Sequence, residues 1–156
     1  MKVIIIGCGR VGAGLAKALS IQNIDVSIID SDPKSFNLLG PTFKGKKFVG
    51  IGFDQKVLSD AGIEQADALA AVTASDEANL VAARMAKVVY RVPRVTARVY
   101  EPEKAKIYRR MGIQTVSPVT LGIDRMTSLI INPQLVIERM IGAGQVRLVD
   151  VDITPQ

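Results

Sequence analysis

The run VIIIGCGRVGAGLAKAL, residues 3–19, decides the fold. Val3–Ile6 is apolar at every position, without the polar alternation of a half-exposed strand, and reads as a strand buried on both faces inside a parallel sheet. It stops at Gly7, and Arg10–Ile21 reads as a helix with Val11, Leu15, Ala18 and Leu19 on one side. Between strand and helix, GCGRVG at residues 7–12 fits the spacing G-x-G-x-x-G. Gly7 would make the tight turn, Gly9 would let backbone approach a pyrophosphate, and Gly12 would let the helix lie close to the sheet. The freed amides of Gly7, Cys8, Gly9, Arg10, Val11 and Gly12, with a helix dipole of about half a positive charge, would face the phosphates.

The glycine spacing acquires meaning from the second strand. Asp25–Ile29 reads as that strand, and Asp30 ends it 18 residues beyond Gly12. A carboxylate there accepts bonds from both ribose hydroxyls and repels a 2′-phosphate, with Ser31 beside it. NAD(H), ATP, ADP or AMP therefore fit better than NADP. Arg10 stands in the first helical turn, where a cation opposes the dipole, so an anion beside it is the expected compensation. Cys8 reads as a small buried filler, although a helix N-terminus can lower a thiol pKa.

Outward from this unit, strands and helices alternate as in a Rossmann-type doubly wound α/β sheet of about six parallel strands. Pro33 would open a short helix that Gly40, Pro41 and Gly45 must end. Phe48–Ile51 reads as the third strand, Gln55–Asp60 as a helix and Ala68–Val72 as the fourth strand. Ser75 stands at an N-cap with Asp76 and Glu77 in the first turn, and Ala78, Val81, Ala82 and Met85 form that helix's apolar face. Val95–Val99 is the fifth strand, Pro102 opens the next helix, and Gln114–Val116 closes the sheet. From Val119 to Ile131 a helix carries Leu121, Ile123, Met126, Leu129 and Ile130, an apolar surface broad for a terminal element. Pro133 is expected to break it, Leu135–Ile141 to start another apolar helix, and Val146–Ile153 to alternate as a strand.

Composition bounds the function. The chain has 156 residues, 48% apolar, 22% charged and 4% aromatic, ordinary for one globular domain. No apolar run approaches the roughly 20 residues that span a bilayer, and Val3–Ile6 is too short for a signal peptide, so direct membrane insertion is not expected. One cysteine cannot build a disulfide framework, which points to the cytoplasm. Histidine is absent and no second cysteine is present, so no metal site is expected. The net charge of +5 comes without a block of basic residues and reads as a solvated surface, not a nucleic-acid footprint.

Ligands of open α/β sheets bind beyond the strands' carboxyl ends. That rule adds Asp54 after the third strand, Thr73, Ala74 and Ser75 after the fourth, and Arg98 with Glu101 at the fifth. A dehydrogenase needs a second domain for its substrate, and about 35 residues remain outside the nucleotide fold. Tyr100 and Lys104 have the Y-x-x-x-K spacing of short-chain dehydrogenases, but Pro102 between them prevents the shared helix face that pair requires. A binding module, whose occupancy a partner reads, explains the missing catalytic groups and the apolar terminal helix. A small NAD-dependent oxidoreductase is the alternative.

Three stretches, residues 3–19, VLSDAGIEQADALAAVTASDEANLVAARMAK at 57–87 and ARVYEPEKAKIYRRMGIQTVSP at 97–118, resemble the N-terminal domain of RCK proteins, the regulators of potassium conductance. More narrowly they resemble the cytosolic nucleotide-binding subunits of Trk and Ktr potassium uptake systems. The resemblance implies a non-catalytic regulatory subunit that binds NAD(H) or ATP/ADP and assembles as dimers within a ring. The ring would dock on the inner face of the cell membrane, on an embedded potassium transporter or channel. It implies phosphate-loop roles for Gly7, Gly9 and Gly12, a ribose role for Asp30, and a place in the site for Thr73, Ala74 and Arg98. Arg10 matches an arginine that reaches a phosphate, and Leu121–Ile130 a crossover helix that packs on a second protomer. Residues 1–131 are then the RCK N-terminal domain, and 132–156 an extension resembling the start of the family's second domain. Two departures stand out. Many members read G-D-x-T-D where this chain has Gly50-Ile51-Gly52-Phe53-Asp54, and Arg98 and Tyr100 replace the acids of calcium-gated relatives.

Overall fold

The computed structural model describes residues 1–131 and, beyond them, the backbone of two strands at 135–141 and 146–151. The elements of the first part are β1 Lys2–Ile6, α1 Arg10–Ile21, β2 Asp25–Asp30, a 3-10 helix Pro33–Leu39, β3 Lys46–Val49, α2 Gln55–Asp60, β4 Ala68–Ala71, α3 Asp76–Arg84, β5 Arg94–Arg98, α4 Pro102–Arg110 and β6 Gln114–Val116. They form a six-stranded sheet in the order β3-β2-β1-β4-β5-β6, every pair parallel. The order reverses direction between β1 and β4, where a crevice opens at the carboxyl edge. Two compact units result from the chain's contacts, Met1–Ser117 and Pro118–Gln156. The helix α5, Pro118–Ile131, belongs to the second, with the antiparallel strands β7 Leu135–Ile141 and β8 Val146–Val151.

β1 is central because its side chains serve two cores. Val3 and Ile5 pack toward α1 and the 3-10 helix with Val26, Ile28, Phe36 and Leu39. Ile4 and Ile6 pack toward the opposite side with Leu58, Ile63, Ala82, Ala83 and Val95. Burial on both faces is what an unalternating run requires. Beside it, the small residues of β4 allow both helix layers to lie close to the sheet.

Some boundaries and faces differ from the sequence reading. α1 buries Gly12, Ala13 and Ala16, while Val11 and Ala18 are exposed. The glycine turn seats the helix so near the sheet that only small residues fit beneath it. The buried face of α3 likewise runs through Asp76, Asn79, Ala82 and Ala83, leaving Val81 exposed. β3 begins and ends two residues early, because the Gly50 amide bonds to the Asp30 carbonyl and turns the chain there. Leu135–Ile141, expected as a helix, is a strand paired antiparallel with β8. A seven-residue segment with Glu138 and Arg139 in its middle is too short for its periodicity to separate helix from strand, and pairing to a partner strand decides it. Pro133 and Ile153 lie outside the described residues.

The turn into α1 is tightly constrained. Gly7 has φ of 98°, and a Cβ there would stand 2.9 Å from the Thr73 backbone. A Cβ on Gly12 would overlap the Gly7 carbonyl oxygen, and none on Gly9 would meet anything within 4 Å. Gly12→Ala is therefore expected to destabilise the fold by about 1–3 kcal/mol, the usual cost of overpacking, whereas Gly9→Ala stays within about 0.5 kcal/mol of the parent. Urea midpoints of the two variants check this contrast; equal stability would show that α1 is not held by this contact.

Candidate functional site

The carboxyl edge of the sheet carries a cavity of about 540 Å³ between the loops after β1, β2, β3 and β4. Its floor is the glycine turn. The Gly7 amide bonds to the Ile29 carbonyl at 2.8 Å, tying this turn to the end of β2. Gly9 occupies the N-cap of α1, no side chain caps the helix, and its first turn contains no acid. The free amides of that turn are thus available to an anion.

Asp30 lines the same cavity at the end of β2. Its Oδ2 accepts the Cys8 amide at 2.6 Å and its Oδ1 the Asp32 amide at 2.9 Å. Two amide donors hold the carboxylate in one orientation, and each oxygen keeps a further lone pair for a hydroxyl. Cys8 also lines the cavity, but its residue is fully buried and its Sγ lies 3.4 Å from the Ser35 carbonyl. Burial, first among the causes, pushes the thiol pKa up, which suits a filler and not a thiolate nucleophile.

Thr73, Ala74 and Ser75 form the wall beyond β4. Asn79, fully buried on α3, organises this loop. Its Oδ1 accepts the Thr73 amide at 2.8 Å and the Thr73 hydroxyl at 2.7 Å. Its Nδ2 donates to the carbonyls of Thr73 and Arg98, at 3.1 and 3.0 Å. Arg98 reaches the cavity from β5, donates from Nη2 to the Thr73 carbonyl, and rests 4.6 Å from the centre of the Tyr100 ring. Its Nε is buried with no hydrogen-bond partner. Ser75 caps α3 through the Ala78 amide, as its position indicated.

Not every candidate converges. Ser31 lines the cavity, but Arg10, Val11, Gly12, Asp54 and Glu101 do not. Gly12 packs beneath the turn. The Asp54 carboxylate caps α2 by accepting the Val57 amide at 3.1 Å. Glu101 pairs with Lys104 at 2.9 Å. That ammonium also meets Glu77 at 2.7 Å; the pairing lowers Glu77 to a pKa of about 2 and raises Lys104 well above the usual lysine range. Tyr100 stands before α4 and gives its amide to Asp76. Tyr100 and Lys104 therefore do not share one helix.

Sequence reasoning missed other residues. Leu38, Asp32 and Ser35 also line the cavity, and so does the Gly50–Phe53 turn, which the sequence marks only as a departure from the family pattern. Asp76, read as a first-turn acid, is buried and accepts the amides of Tyr100 and Glu101 at 3.0 and 3.2 Å. An asparagine among the alanines of α3 was the available signal for Asn79, since a buried amide needs partners.

A family model for the TrkA-N domain matches residues 3–118. The chain is 49% identical over 126 residues to a Trk system potassium uptake protein TrkA of Streptomyces coelicolor, covering 81% of this chain and 56% of the relative. It spans about half the length of that relative and about a third or less of two others. Among solved structures, the C-terminal domain of a Shewanella denitrificans Kef protein in AMP-bound form is 27% identical, with TM-score 0.69, covering 83% of this chain and 82% of that one. The GsuK channel bound to NAD, 20% identical, shares the fold with TM-score 0.71 over 91% of this chain and 27% of that one. With its glycine turn, Asp30 and six-strand order inside the matched span, the chain belongs to the TrkA-N domain family.

Proposed function

We propose that this chain is a non-catalytic sensor that binds an adenine nucleotide, NAD(H) or ATP, ADP or AMP, and regulates a membrane-embedded potassium transporter or channel. One observation carries the reading: the turn Gly7–Gly9 at the uncapped amino end of α1 and the amide-held carboxylate of Asp30 line one cavity. The first suits phosphate and the second suits ribose hydroxyls. The AMP-bound form of the Kef domain supports a nucleotide as the ligand. The TrkA relatives support potassium uptake as the regulated process.

The Thr73 loop supplies a route for regulation. It touches the cavity, and Asn79 and Arg98 couple it to α3 and β5. A ligand that favours one position of this loop would shift those elements. Among the described residues no helix is long and apolar enough to cross a membrane. The module would act from the cytoplasm, docked at the inner membrane face on a pore protein and assembled as a ring of dimers. α5 supports the dimer, for it exposes Leu121, Ile123, Met126, Leu129, Ile130 and Ile131.

Titration calorimetry with NAD, NADH, ATP, ADP and AMP is expected to show binding by at least one of them; silence from all five would overturn the proposal. Asp30→Ala should weaken each bound nucleotide about ten- to a hundredfold, the worth of its charge-assisted hydrogen bonds. Unchanged affinity would remove Asp30 from the site. Light scattering is expected to report a dimer or larger species that Leu129→Asp with Ile130→Asp dissociates. A parent chain that stays monomeric at high concentration would refute the α5 interface.

A further inference from the structure

The cavity is chemically divided. Around α1 and Asp30 it is polar, while the wall between the 3-10 helix and the turn after β3 is built from Leu38, Ile51 and Phe53. These side chains are 47%, 53% and 40% exposed, an apolar surface left to water although it faces a concave site. Of the acids flanking this wall, Asp54 caps α2 and lies outside the cavity lining, while Asp32 lines the polar end of the cavity and accepts the Lys34 amide on Oδ1 at 2.9 Å. The Gly50 amide and the Ile51 carbonyl are engaged by Asp30 and Asp54, and a peptide group elsewhere in the turn offers both a donor and an acceptor, so it suits either kind of ring edge.

Resting on the nucleotide reading above, we propose that this wall is a base subsite that selects a purine by its flat face and not by its hydrogen-bonding edge. Guanine and hypoxanthine nucleotides then enter on nearly equal terms with adenine ones. Leu38, Ile51 and Phe53 offer contact to any purine ring, since every base has an apolar face that aromatic and aliphatic groups cover. Discrimination by a site arises when a buried polar group loses its partner on the wrong ligand, and apolar walls impose no such penalty. Ile51 is the deciding residue. An aspartate there would accept a bond from the 6-amino group of adenine and repel the 6-oxo group of guanine or hypoxanthine.

The test is titration calorimetry of the full chain with ADP, GDP and IDP, and of the Ile51→Asp and Phe53→Ala variants, both at exposed positions. The parent is expected to bind the three diphosphates within about tenfold of one another. Ile51→Asp should widen the preference for ADP over GDP by tenfold or more, and Phe53→Ala should weaken all three alike. Rejection of GDP by the parent by more than about tenfold, with ADP bound, overturns this inference and leaves the nucleotide reading standing. A ratio unmoved by Ile51→Asp, or affinities unmoved by Phe53→Ala, also overturns it. Failure of all three ligands to bind the parent overturns the nucleotide reading and this inference with it.

Discussion

The approach of α1 to β1 is the constraint on which the rest of the site depends. No atom beyond hydrogen fits on Gly12 beneath the Gly7 carbonyl, and a side chain on Gly7 would press on Thr73. Because the helix starts so near the strand, its uncapped amino end points along the carboxyl edge of the sheet and not into solvent at large. The same turn brings the Cys8 amide to Asp30 and the Gly7 amide to Ile29. An uncapped helix end and a carboxylate fixed by two amides thus come from one backbone geometry, in which each residue is too small or too committed to move independently.

A second, polar arrangement holds the opposite wall. Asn79 satisfies the Thr73 amide, hydroxyl and carbonyl from one side chain, and reaches the Arg98 carbonyl on the next strand. Asp76, one turn earlier on α3, ties down the amides that start α4, and the buried Tyr108 hydroxyl donates to its carbonyl. Buried amides and carboxylates are stabilising only when their partners are present, which makes such a lattice stiff and its members interdependent. A stiff loop in contact with a ligand can pass displacement to a neighbouring helix, while a solvated one would absorb it.

The apolar surfaces of the chain are distributed unevenly. Alanines and β-branched residues fill the two cores of the first unit, with Tyr108 the one fully buried aromatic residue in the larger. Large apolar side chains remain outside in two places of interest, the Leu38–Ile51–Phe53 wall of the cavity and the length of α5. Exposed apolar area in a concave site calls for a ligand, and along a helix it calls for another protein surface.

Much of this was legible in the sequence. The unbroken apolar run Val3–Ile6, the glycine spacing and the acid after β2 declare a parallel sheet and a tight glycine turn into α1, because these are local backbone requirements written in consecutive residues. The cap at Ser75 and the proline that opens α4 at Pro102 are local in the same way. The surroundings of the cavity were not legible, because they are assembled across distant loops. Asp54 and Glu101 are at the strand ends that the topology rule nominates, yet a helix amide and a lysine engage them instead. Asn79 and the Leu38–Ile51–Phe53 wall entered only through tertiary packing, and so did the strand pairing of Leu135–Ile141. Local stereochemistry is encoded in neighbours along the chain. The partner of a polar group, or the face an apolar residue turns inward, depends on what the fold places opposite it.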